Sequence, residues 1–124
     1  MSEINLITIN TRGLRTPEKA QLFATEFMTY NVAIAYLIDT HLNEKAERYL
    51  SNLMPNYKIY SNLVPLNRGV SICFQKKLGI EVLDIVKDTV GDFIALKINY
   101  GGKKIILAAF YGPSVYNGDC INKI

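Results

Sequence analysis

Apolar positions along the chain fall into short runs separated by polar clusters, and their spacing changes from one run to the next. "INLITI" (4–9) is β-branched and apolar and predicts a strand, followed by a loop, "NTRGLR" (10–15). "TPEKAQLFATEFMTYN" (16–31) predicts the clearest helix. Thr16 suits the N-cap, Pro17 the first helical position and Glu18 the positive end of the dipole, while Leu22, Phe23, Phe27 and Tyr30 recur at helical spacing. "VAIAYLI" (32–38) is apolar on both faces, as in a strand covered on both sides. "NEKAERYLSNLM" (43–54) predicts a second helix with Asn43 as its cap and Pro55 just beyond.

Five strand-like runs follow: 57–62, 69–75, 80–86, 93–100 and 104–111. "INYGGKKII" sets a Gly-Gly pair between two alternating runs, a strong hairpin signal. The order is β-α-β-α and then antiparallel strands, an α/β (α+β) pattern within one domain of 124 residues.

Composition narrows the class. Hydrophobic content of 49% with 20% charged residues fits a globular chain. No apolar run is long enough to span a membrane. The acid near the N-terminus, Glu3, argues against a signal peptide, so an intracellular location, nuclear or cytoplasmic, is expected. Two cysteines, Cys73 and Cys120, without metal-ligand spacing fit a reduced compartment. Of the 14 basic and 11 acidic side chains, residues 1–62 hold six of each and residues 63–124 hold eight and five, so the excess of +3 lies in the second half. Such a balance suits nucleic acid but also plain solvated lysines.

Polar groups end three apolar runs: Asn10 after "LITI", Asp39 after "AIAYLI" and Tyr111 after "IILAAF". A strand end is held rigidly while its side chain stays reachable, so such groups can converge on one pocket. Asn and Asp offer the hard oxygen atoms that suit Mg²⁺, and Tyr a hydroxyl that can hold phosphate.

"LITINTRGLRTPEK", "VAIAYLIDTHL", "RGVSICFQKKLGIEVLDI" and "GDFIALKINYGGKKIILAAFYGPS" together resemble the first half of the endonuclease/exonuclease/phosphatase family. The branch they resemble is the apurinic-type endonuclease domain of non-LTR (LINE-type) retrotransposons, and the likeness runs to about residue 115. It implies a share of a four-layer α/β/β/α sandwich and a Mg²⁺-dependent, phosphodiester-cleaving endonuclease acting on DNA. Asn10 then matches the active-site asparagine, Asp39 the place of a Mg²⁺-binding glutamate and Tyr111 the tyrosine that holds the scissile phosphate. Arg12 and Arg68 become the candidate cations for the nucleic-acid backbone.

The sequence also departs from that pattern. The motif "Q-E-T-H" is here Ile38-Asp39-Thr40-His41, with a carboxylate shorter by one methylene, and Arg12 stands where the family often has Asp or Asn. Gly118-Asp119 follows Tyr111 too closely to match the "G-D-F-N" segment, so it reads as coincidence, and His41 reads as an exposed loop residue. Without the family's second half, the inner face of the first sheet is expected to lack its partner. Exposing ~500 Å² of apolar surface at ~25 cal/mol per Å² forfeits roughly 12 kcal/mol. Covering it would take a homodimer or the missing C-terminal half. The isolated chain is expected to be inactive; a non-catalytic remnant binding nucleic acid or protein, and a reading frame with no function of its own, are the alternatives.

Overall fold

The computed structural model describes residues 4–65 and 68–112. Nine main elements succeed one another: β1 (Leu6–Asn10), α1 (Pro17–Thr29), β2 (Ile34–Ile38), α2 (Glu44–Leu53), β3 (Tyr57–Asn62), β4 (Val70–Gln75), β5 (Glu81–Lys87), β6 (Phe93–Tyr100) and β7 (Lys103–Phe110). Gly118-Asp119 and Cys120 lie outside the described residues.

Local chemistry sets both helix starts. Thr16 Oγ1 accepts from the Lys19 N–H at 3.3 Å and Asn43 Oδ1 from the Ala46 N–H at 2.8 Å, each satisfying a first-turn donor. The buried stripe of α1 is Ala20, Ala24 and Phe27, which corrects the predicted face: Leu22 and Tyr30 point outward, 73% and 66% exposed. Alanine at two successive contact positions lets the helix lie close to the sheet, where larger side chains would hold it off.

The strands form two sheets. The first has the order β1-β2-β4-β3, with β1 and β2 parallel and the other pairs antiparallel. The second is the antiparallel meander β5-β6-β7, closed between β6 and β7 by Gly101 and Gly102, both at positive φ as a primed hairpin turn requires. The two helices cover one face of the first sheet, where Ala24, Phe27, Ala46 and Leu50 pack on Ala35, Leu37 and Cys73.

The opposite face of the first sheet is not open, which corrects the expectation of an unpartnered inner face. Val70, Ile72 and Phe74 are at most 1% exposed because Ile94, Leu96, Ile98 and Leu107 of the second sheet lie against them. The strands of 80–111 form the second sheet, which folds over the first. The surface assigned to a homodimer is thus used within the chain. Open apolar positions lie elsewhere: on the outer side of the second sheet (Val86, Ile106, Phe110) and on β1, whose Leu6 is 47% exposed.

Candidate active site

β1 and β2 run side by side with Asn10 opposite Ile38, so their C-terminal ends open on the same rim. The pairing does not stop at the strand ends. Thr11, Gly13 and Leu14 donate their N–H groups to the carbonyls of Ile38, Asp39 and Thr40 at 2.9, 2.8 and 2.8 Å. On the other side, the N–H groups of Thr40 and His41 go to the carbonyls of Gly69 and Arg68. Segment 39–41 is therefore held from both flanks by main chain, with Thr11 Oγ1 donating to the Asp39 carbonyl at 3.0 Å and Arg15 Nε to the His41 carbonyl at 3.2 Å. Thr40 is fully buried between Asp39 and His41, which face outward from it.

That frame is strained. Among the described residues four non-glycine positions have positive φ, and three of them, Arg12 (54°), Asp39 (59°) and His41 (53°), lie here. Left-handed backbone costs ~1–2 kcal/mol for an L-residue, less for Asp and Asn, so the surrounding hydrogen bonds must hold it.

Asp39 and His41 meet. His41 Nε2 lies 2.7 Å from Asp39 Oδ1, a buried oxygen for which no hydrogen bond is made. As the sequence suggested, His41 stands in the loop after β2 with its side chain 44% exposed, and the structure adds its contact with the carboxylate. Asn10 turns its Oδ1 back to the Arg12 N–H at 3.1 Å and keeps a second lone pair. Arg12 itself is exposed on the rim.

Arg68 and Tyr111 form a second pair. The Arg68 guanidinium donates to the Tyr111 hydroxyl and lies 4.7 Å from the centre of its ring, a cation–π contact. The two pairs are linked, because His41 donates its N–H to the Arg68 carbonyl. Tyr111 is placed in turn by the loop before β6: its N–H goes to the Asp92 carbonyl at 2.8 Å. Asn62, buried at the end of β3, pins that loop through Asp88 Oδ1 at 2.9 Å and the Phe93 carbonyl at 2.8 Å. Asp88 Oδ1 also takes the N–H groups of Gly91 and Asp92.

Asp39, Arg68 and Tyr111 thus share one rim with Asn10 and Arg12. From the sequence His41 reads as a loop residue, and Asn62 carries no signal that singles it out.

No family model matches the sequence. Solved structures do match. A D. rerio TDP2 complexed with a single-strand DNA product superposes with a TM-score of 0.66 over 87% of this chain and 45% of that one, at 17% identity. The endonuclease domain of TRAS1, a telomere-specific non-LTR retrotransposon, gives a TM-score of 0.59 over 97% and 52%, at 14% identity. The endonuclease/exonuclease/phosphatase from Bacteroides vulgatus gives 0.58 over 84% and 49%, at 13% identity. The chain has the endonuclease/exonuclease/phosphatase fold. It spans about half the length of these chains, so the likeness is one of nuclease-type architecture carried by part of a domain.

Proposed function

We propose that the chain is part of a metal-dependent, phosphodiester-cleaving endonuclease of retrotransposon origin, and that alone it does not cleave. The observation that carries this reading is the linkage of the Asp39–His41 and Arg68–Tyr111 pairs through the Arg68 backbone, beside Asn10. Carboxylate and carboxamide oxygens suit a divalent cation, and a guanidinium beside a phenol suits a phosphate.

The fit of a cation rests on Asp39 Oδ1, a buried oxygen that no hydrogen bond satisfies. Asp39 and Asn10 would hold Mg²⁺, which, when bound, supplies charge to stabilise the phosphate as it is displaced. Arg68 and Tyr111 would hold the phosphate, with Arg12 and Arg68 tracking the DNA backbone. Among the described residues no three His, Cys, Asp or Glu side chains converge. His41 is engaged by Asp39. A remaining half-domain would supply such groups and cover Val86, Ile106 and Phe110.

The second reading, a non-catalytic module for nucleic acid, draws on the same Arg68–Tyr111 platform, a cation and an aromatic ring at one exposed edge. A plasmid-nicking assay with Mg²⁺, run on the chain and on Asn10→Ala, separates the two. No nicking with salt-dependent DNA binding is expected. Nicking that Asn10→Ala abolishes overturns the inactivity, and absence of DNA binding at low salt overturns both readings.

A further inference from the structure

We infer that the free edge of β1 is a self-association surface, where a second copy of this chain adds its own β1 antiparallel and joins the two first sheets into one. The inference goes beyond the nuclease reading and does not depend on it.

Among the described residues each sheet has two free edges, and the four are not alike. β3 carries Lys58, and β7 opens on Lys103 and Lys104. β5 carries Glu81, Asp84 and Lys87, with a register shift between Val82 and Asp84. Charges and bulges of this kind keep a foreign strand off. β1 has no charge, no proline and no bulge. Hydrogen bonds fix which of its main-chain groups are free. The Asn5 carbonyl accepts from Ile34 and the Thr11 N–H goes to Ile38, so the odd positions turn toward β2. Leu6 and Thr8 therefore turn their N–H and C=O groups outward, where β1 has no neighbour.

The flank around these groups is apolar on both faces of the sheet. On the helix side, Ile7, Ile9, Phe23, Phe27, Tyr30 and Val32 line an open groove of about 520 Å³ between β1 and α1. Glu26, the one charged lining residue, is exposed. On the other side Ile4 and Leu6 are exposed. Apolar surface on both faces belongs to a strand with cover around it, and here it stands at an edge.

A second copy fits this edge because the same uncharged strand serves as donor and acceptor. With the two-fold axis at Ile7, Leu6 of each copy stands opposite Thr8 of the other, and each such pair exchanges both N–H···O bonds. The two Ile7 side chains then meet where the grooves join, and no like charges face each other along the strands. The area is also sufficient. A strand about 17 Å long beside a helix about 20 Å long offers roughly 600–700 Å² per copy, near the ~800 Å² per partner of a standard interface.

Sedimentation velocity is expected to show a monomer–dimer equilibrium across about 5–500 µM chain. Over that range exchange of the Leu6 and Thr8 amides is expected to slow at least about tenfold, while Ile7 and Ile9, already bonded to β2, change less than about twofold. Thr8→Pro removes an outward N–H and no bond to β2, a position where an edge strand accepts proline. It is expected to weaken association at least about tenfold with the helix content unchanged. Leu6→Lys, which sets a charge on the same edge, is expected to do the same and decides should Thr8→Pro not fold. The inference is overturned if the chain stays monomeric at the highest concentration, which leaves the edge to another occupant. It is equally overturned by a dimer whose Leu6 and Thr8 amides stay unprotected, or by a folded variant that dimerises as tightly as the native chain. Neither DNA nor metal enters the measurement, so its failure leaves the nuclease reading untouched.

Discussion

A methyl group added at Gly69 would stand 2.9 Å from Thr40 Oγ1, closer than side-chain carbons come to such an oxygen. Gly69 also has φ of +80°, where an L-residue is strained in any surroundings. Gly69→Ala is therefore expected to lower stability by about 2 kcal/mol or more, read as a shift in urea midpoint with unchanged slope. Thr40→Val should do the opposite. The Thr40 hydroxyl is buried and makes no hydrogen bond, so replacing it by a methyl of similar shape removes a desolvation cost of about 1 kcal/mol.

Asn62 supports the candidate site from a distance. Its amide reaches Asp88 Oδ1, the Asp88 carbonyl and the Phe93 carbonyl, and the loop it pins supplies the acceptor for the Tyr111 N–H. Asn62→Ala should cost about 2–3 kcal/mol and speed hydrogen exchange across 88–93. Asn62→Asp should cost more than Asn62→Ala, because it sets a second carboxylate against Asp88 and removes the donors.

The Arg68–Tyr111 pair predicts a measurable coupling. In a double-mutant cycle on stability with Arg68→Ala and Tyr111→Ala, about 0.5–1 kcal/mol is expected at this exposed contact. If the rim holds nucleic acid, Arg68→Ala should also reduce the slope of log affinity against log salt by about 1 for any DNA sequence. An unchanged slope would remove Arg68 from the phosphate contacts.

Cys73 lies fully buried on β4, and burial pushes its thiol up to about 12, opposed in part by a hydrogen bond with the Ala35 backbone. The unfolded chain loses this proton near pH 9 and the folded chain keeps it, so the native state binds the extra proton between those values. Stability is then full below pH 9 and falls as pH rises toward 12, by up to about 1.4 kcal/mol per unit. In a Cys120→Ser background, a thiol reagent at pH 8 should react only at the rate of unfolding, which a denaturant series checks.

Much of the architecture was legible because it is encoded locally. The Thr16 and Asn43 caps, the Gly101-Gly102 turn and the two-sided apolar run of β2 each act within a few residues. The division into two sheets was not legible, since period-two alternation says which face is apolar but not which strand lies opposite. β4 illustrates this: Ser71 and Gln75 alternate with apolar residues, yet all six residues are buried between α-helical and β layers. At the site, Asn10, Asp39, Arg68 and Tyr111 were chosen by position, and the fold brings Arg68 to Tyr111. The strand ends at Ile38 as expected, and what was not legible is that main-chain bonding continues past it, from Leu14 to Thr40 and from His41 to Arg68.

The cradle around residues 39–41 is woven from amides and carbonyls of Thr11, Gly13, Leu14, Arg68 and Gly69, none of which depends on the side chain at 39. Its shape is thus inherited separately from its chemistry. The side chain at 39 can change length without the frame collapsing. A single codon change, Asp39→Glu, would test a longer arm in a socket already formed.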